Sequence, residues 1–172
     1  MIENFISTPE DWSLAAVRVV LGVIFFAHGA QKMFGWYGGS GLVKSMRTFT
    51  QDLHIPAVLA FLVIAGEFLG GIGLLLGLFS RLAALVIGLT MLGAVAMVHL
   101  RHGLFLNWFG EKKGHGIEFH LLAIALAMLV VLKGSGAFSL DRLLDEHIAE
   151  SHHQQERAAN TYRPRCCILK QI

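Results

Sequence analysis

The sequence predicts an all-α integral membrane protein, a transmembrane four-helix bundle with short amphipathic helices lying in the interface. Three observations carry this expectation. The 172 residues are 55% hydrophobic and only 15% charged, whereas a soluble domain is nearer a quarter charged. The mean hydropathy is +0.60. The apolar residues gather into four runs, each close to the ~20 residues that cross a hydrocarbon core. By length the chain is a single domain.

The elements follow in order. Met1 to Asp11 carries Glu3, Glu10 and Asp11 without a lysine or arginine. It lacks the basic start of a secretory signal, so the first apolar run, Leu14 to Met33, is expected to be retained as a helix. Loop one, Phe34 to Ile55, sets Gly35, Gly38, Gly39 and Gly41 around Trp36 and Tyr37. Leu42, Met46, Phe49 and Leu53 then recur at helical spacing, which predicts a short amphipathic helix in the interface, with Trp36 and Tyr37 in the aromatic belt. Pro56 opens the second run, Ala57 to Leu78, at a favoured helix-start position. The third, about Leu82 to Leu100, follows a turn so short (Phe79, Ser80, Arg81) that the two helices must be antiparallel neighbours. The fourth, Ile117 to Leu132, is marginal alone and is lengthened by the apolar and small residues up to Phe138. Lys133-Gly-Ser-Gly turns the chain, and Ser139 starts a second amphipathic helix through Leu140, Leu143, Leu144 and Ile148, with Asp141 in its first turn. From Glu150 the tail is polar and is expected to be disordered. The division is thus a transmembrane domain over 1–143 and a polar tail over 144–172.

Composition also excludes function classes. A net charge of +2 with no long basic stretch outside the tail gives no nucleic-acid footprint. The glycines of loop one lack the Gly-Lys-Ser/Thr ending of a phosphate-binding loop. Cys166 and Cys167 are adjacent rather than a C-x-x-C pair, so dithiol redox chemistry has no support, and two free thiols are expected.

Polar groups inside lipid cost free energy, so each raises a functional question. Arg18 lies in the first span and Glu67 near the middle of the second. Counted at ~1.5 Å per residue, Arg18 lies roughly 20 Å and Glu67 roughly 15 Å below the loop-side surface. An arginine side chain bridges that difference, so Arg18 and Glu67 are expected to form a structural ion pair. A protonatable Glu67 in proton or quinone chemistry is the alternative. A denser group gathers where antiparallel threading brings three helix ends together. His28 and Lys32 end the first helix, His99, Arg101 and His102 the third, and Glu118 and His120 begin the fourth. His28, His99, Glu118 and His120 are the candidate catalytic residues, because a histidine beside a carboxylate carries protons near neutral pH. Lys32, Arg101 and His102 are the candidate substrate-binding residues, suited to an anion or a quinone oxygen. A polar pocket, a row of residues marking the water boundary, and a bound metal all stand as readings. No tight metal motif such as H-E-x-x-H is present, and no metal ligands are assigned. Gly66, Gly70, Gly71, Gly73 and Gly77 stripe the second helix, and Gly88 and Gly93 punctuate the third; close helix packing explains them.

The stretch Arg18-Val-Val-Leu-Gly-Val-Ile-Phe-Phe-Ala-His28-Gly-Ala-Gln-Lys32, then Glu67-Phe-Leu-Gly-Gly-Ile-Gly-Leu-Leu-Leu-Gly-Leu, His99 through His102, Glu118, and Gly134-Ser-Gly-Ala-Phe-Ser-Leu-Asp-Arg142 together resemble the DoxX family of small bacterial membrane proteins. The resemblance covers about residues 12 to 143 and leaves the tail outside. It implies a four-helix inner-membrane fold with cytoplasmic termini. That orientation resolves a near tie in basic residues: Lys32, Lys44, Arg47, Arg101, Lys112 and Lys113 lie on the loop side. Arg81, Lys133 and Arg142, with distal Arg157, Arg163, Arg165 and Lys170, lie on the termini side. The family takes its name from subunits of a thiosulfate:quinone oxidoreductase, and other members are associated with oxidative-stress or thiol-redox complexes. The leading expectation is therefore a quinone-linked redox membrane subunit acting with soluble redox partners on a quinone or small anion. A non-catalytic anchor for a redox complex and a small-molecule or proton permease are the alternatives. The sequence holds no cofactor motif, and quinone is the one redox molecule the resemblance suggests.

Overall fold

The computed structural model describes residues 11–110 and 114–161. Glu3 and Glu10, Lys112 and Lys113, and the segment holding Arg163, Arg165, Cys166, Cys167 and Lys170 lie outside the described residues. Helix α1 spans Trp12–Phe34. The Asp11 carboxylate accepts the N–H groups of Ser13 and Leu14 at 2.7 and 3.3 Å, an N-cap that satisfies donors no helical carbonyl can reach. After a 3₁₀ turn at Trp36–Gly38, α2 runs Gly41–Arg47 and continues as one π turn, Thr48–Asp52. Leu42, Met46, Phe49 and Leu53 are half-buried while Val43, Lys44, Arg47 and Gln51 are exposed, the amphipathic pattern the spacing predicts. Helix α3 is Ala57–Leu76. Helix α4 is Ser80–Ala94, extended by a π turn at Val95–His99 and a 3₁₀ turn at Leu100–His102. Helices α5, Glu118–Lys133, and α6, Leu140–Thr161, complete the order.

Among the described residues three helices are long and apolar enough to cross a membrane: Trp12–Phe34, Ala57–Leu76 and the extended Ser80–His102. With 16 residues, α5 is about 24 Å long and falls short of a ~30 Å hydrocarbon core. It packs against α4 and α1, and α3 packs against α1 and α4, so the four helices close into a ring. Leu21, Phe25, Leu74, Ile87, Met91, Ala127 and Val130 fill the centre. Val20, Leu62, Leu69, Leu89 and Leu122 face outward, as expected where lipid is the solvent.

Glycines set the tightest contact. A Cβ on Gly29 would stand 2.4 Å from the Phe68 backbone, and one on Gly71 would stand 2.3 Å from the Phe26 nitrogen. The backbones of α1 and α3 therefore touch, as small residues permit in membranes. Gly66, Gly70 and Gly73 face α4 instead, against Val86, Ile87 and Ala83. Gly77 ends α3 in the left-handed region at φ 67°, and a side chain there would meet Ser139.

The expected Arg18–Glu67 pair does not form. Fully buried Arg18 donates from Nε to the Ser135 carbonyl at 2.9 Å and from Nη1 to Leu74 and Leu75 at 2.6 and 3.2 Å. Its Nη2 donates to Ala137 and Phe138 at 3.4 and 2.9 Å. The guanidinium thus satisfies orphan carbonyls at the C-terminal end of α3, where the helix dipole also favours a cation. Glu67 pairs instead with Lys32. The reason is register: Gly22 lies against Leu75, Phe26 against Gly71 and Gly29 against Phe68. Continued, this sets Arg18 beside the turn at Phe79 and Glu67 beside Ala30, about 18 Å further along α1. Helix α3 overshoots the end of α1 on the loop side, so depths counted from each helix's own end do not share an origin.

A second polar knot lies at the same end as Arg18. The Asp141 carboxylate accepts the N–H groups of Phe79 and Ser80 at 2.7 and 2.9 Å and the Ser135 hydroxyl at 2.5 Å. The Asp141 N–H donates to the Gly77 carbonyl at 2.9 Å. Asp141 therefore serves α4 as an N-cap residue would, from the far end of the chain. Beyond it, α6 continues to Thr161, where the sequence predicted a helix only to about Ile148 and disorder from Glu150. Apart from Asp141, no sizeable packing of α6 against another helix is seen among the described residues.

Candidate functional site

The loop-facing end gathers a string of rings. Buried His120, in the first turn of α5, stacks on His99 at the end of the π turn, with centroids 4.1 Å apart. Phe119 stands edge-on to His120 at 5.6 Å and lies 6.0 Å from the ring of exposed His28. Phe25 completes the row 6.4 Å from His28. His99 Nδ1 lies 2.9 Å from the His115 carbonyl oxygen. A carbonyl only accepts, so Nδ1 carries the hydrogen and the Nε2 of a neutral His99 is an acceptor. His120 Nδ1 is buried and makes no hydrogen bond of good geometry among the described residues, although the Gly116 backbone lies near enough to interact with the ring.

The carboxylate belonging to this end is Glu67. Lys32 Nζ meets both of its oxygens, at 2.6 and 2.5 Å, and lies 5.8 Å over the Phe49 ring of the interfacial helix. The Lys32 side chain is 31% exposed and that of Glu67 only 2%, so one partner reaches toward water and the other does not. Burial first, and then the nearby charges of His99, Lys32 and His28, push the pKa of the His120 imidazole down to about 4, below the usual histidine range.

The other candidates stand apart from the rings. Exposed Glu118 accepts the Leu106 N–H at 3.2 Å, and among the described residues it makes no contact with a histidine. Arg101 turns back to its own helix, donating to the Met97 carbonyl at 3.0 Å. The His102 ring lies against Gly114, where a Cβ would approach within 2.7 Å. Among the described residues no group of three or more His, Cys, Asp or Glu side chains is placed to hold a metal ion. Two open cavities lie elsewhere. One of about 450 Å³ sits by Leu76, Phe138, Leu140 and Leu143, and an apolar groove of about 380 Å³ runs between α3 and α4.

Sequence reasoning placed the rings at one end correctly by threading. It missed the Lys32–Glu67 pair and the role of Asp141. The spacing of the glycines on α1 and α3 was the available signal for the first. For Asp141, the Ser-Leu-Asp element showed only that something was fixed there.

Comparison with known proteins decides the family. The DoxX profile matches residues 13–100. The chain belongs to the DoxX family. It is 29% identical over 125 residues to the "Putative oxidoreductase CatD" of Bacillus subtilis, covering 73% of this chain and 81% of that protein. It is 30% identical over 139 residues to the "Inner membrane protein YqjF" of Escherichia coli, covering 80% and 95%. No solved structure matches the chain. The DoxX match begins just before Arg18 and ends after His99, so it takes in Lys32, Glu67 and half of the histidine pair. It stops short of His120 and Asp141.

Proposed function

We propose that this DoxX protein is the membrane subunit of a quinone-linked redox system, acting with soluble partners that carry the electrons, with its substrate received at the loop-facing end. The observation that carries this reading is the His99–His120 pair. A buried ring nitrogen without a well-formed hydrogen bond calls for an explanation, and an incoming oxygen supplies one. Reducing a quinone takes two electrons and two protons. Buried His120 stays neutral near pH 7 and can hydrogen-bond an oxygen, while an imidazole that burial does not hold neutral exchanges protons near that pH. His120 is the residue we assign to the substrate oxygen, His99 to the proton route toward the surface, and Lys32 with Glu67 to a fixed charge pair beside them. Exposed His28 stands at the mouth. The name of the Bacillus relative, an oxidoreductase by its printed description, points the same way.

Gentle purification followed by solvent extraction and mass spectrometry is the test. Wild-type protein should carry a quinone that His120→Phe loses while keeping its thermal transition, and Glu118→Gln should retain it. Extracts free of quinone from wild-type protein would reject the reading. A second reading, an anchor for a soluble redox complex, is favoured by α6, a helix of 22 residues held to the bundle at Asp141, beyond which no sizeable packing on another helix is seen among the described residues. An anchor would co-purify with a soluble protein in fixed ratio and lose it when α6 is removed.

A further inference from the structure

The chain between the third and fourth helices is built unlike an ordinary surface loop. Its neck is closed by backbone pairing: the Ile117 N–H donates to the Gly103 carbonyl at 3.1 Å and the Glu118 N–H to Leu104 at 2.9 Å. The Glu118 carboxylate tightens it by taking the Leu106 N–H. Gly103 and Gly110, both in the left-handed region at φ 82° and 73°, bracket the tip. A loop with its ends pinned this way holds a shape of its own. The tip that it presents is apolar, Leu-Phe-Leu-Asn-Trp-Phe over 104–109. Trp108 is 75% and Phe109 89% exposed, and Phe105 also points outward. Loop tips that face water favour glycine and short polar residues, and a contiguous exposed apolar patch marks an interaction surface.

The patch is continuous with a surface whose neighbour is already known. The outward face of Ser80–His102, a membrane span, carries exposed Leu92, Met97 and Leu100. Leu104 and Phe105 follow Leu100 along the chain after Arg101, His102 and Gly103, and both are exposed. Exposed Arg101 stands at the junction, and Trp36 and Tyr37 are exposed on the loop following α1, at the same end. Tryptophans and basic side chains at one level are how a protein meets the headgroup boundary.

We propose that the 104–109 tip is a membrane anchor, seated in the headgroup and upper acyl region of the loop-side leaflet, with the lipid bilayer itself as its partner. The anchor fixes the neck formed by Gly103, Leu104 and Glu118, and this neck adjoins the His99–His120 pair. The inference rests on the spans and the loop geometry and is independent of any redox role.

Depth-dependent fluorescence quenching tests it on the full chain in phosphatidylcholine vesicles. The chain has three tryptophans, and Trp12→Phe with Trp36→Phe leaves Trp108 alone. Its emission should be blue-shifted and should lose most of its intensity to lipid brominated near the headgroup. Lipid brominated near the chain ends should remove less, and aqueous iodide little. Quenching by iodide with no response to brominated lipid would overturn the proposal and leave a water-facing surface for a soluble protein. Shielding from both quenchers would overturn it equally, in favour of contact with a protein or a second copy. If the Trp108 reporter folds poorly, Phe109→Trp with Trp12, Trp36 and Trp108 all replaced by Phe repeats the measurement one residue along.

Discussion

At the scale of single residues, the two deepest charges have different neighbours and different work. Arg18 donates to carbonyls, and Glu67 is answered by Lys32, whose side chain is partly exposed. The pair is therefore asymmetric. Lys32→Met strands a carboxylate with no route to solvent, a loss of order 3–5 kcal/mol. Glu67→Gln leaves a lysine that can turn outward, a loss of roughly 1–2 kcal/mol. Thermal unfolding in detergent should rank the variants in that order, and Glu67→Gln being the more damaging would contradict the geometry. A double-mutant cycle between Arg18 and Glu67 should give coupling near zero, since sites so far apart without a shared partner usually add. Both charges were visible in the sequence because lipid makes every ion conspicuous. Their partners were not, because pairing depends on how far one helix slides past another, and apolar runs do not encode that offset.

At the scale of elements, the offset is held by glycine. Gly71 lies on the backbone of α1, whereas nothing approaches within 4 Å of where a Cβ on Gly93 would point. Gly71→Ala must push α1 and α3 apart and should cost about 1–3 kcal/mol. Gly93→Ala should be neutral or gain up to about 1 kcal/mol from helix propensity. Equal effects of the two changes on the thermal transition would show that the α1–α3 contact does not set stability. The sequence marked both glycines alike. Periodicity located the helices to within a turn, since composition changes sharply at a lipid boundary. The full reach of α6 was illegible because a polar helix has no apolar period beyond Ile148.

At the scale of the whole molecule, the multi-pass membrane fold was legible from composition, and the orientation was not, since basic residues divide almost evenly between the two sides. Cytoplasmic termini are what the family resemblance implies, and they stand as a proposal to be tested. Cys166 and Cys167 report on this directly. In intact cells a membrane-impermeant maleimide should leave them unmodified, and permeabilised cells should label fully. Labelling of intact cells would reverse the orientation and put the 104–109 tip in the cytoplasmic leaflet.

The Asp141 knot has a consequence for the order in which the protein is made. The N–H groups of Phe79 and Ser80 find their acceptor 62 and 61 residues later in the chain. During synthesis from the N-terminus, the three spans α1, α3 and α4 are made while the start of α4 is uncapped and the Arg18 guanidinium is short of its partners at Ser135, Ala137 and Phe138. Both debts are settled only when the residues after α5 emerge. A chain cut before Asp141 therefore leaves the Phe79 and Ser80 N–H groups and part of the Arg18 guanidinium without these acceptors, and it should unfold in detergent at a lower temperature than the full chain.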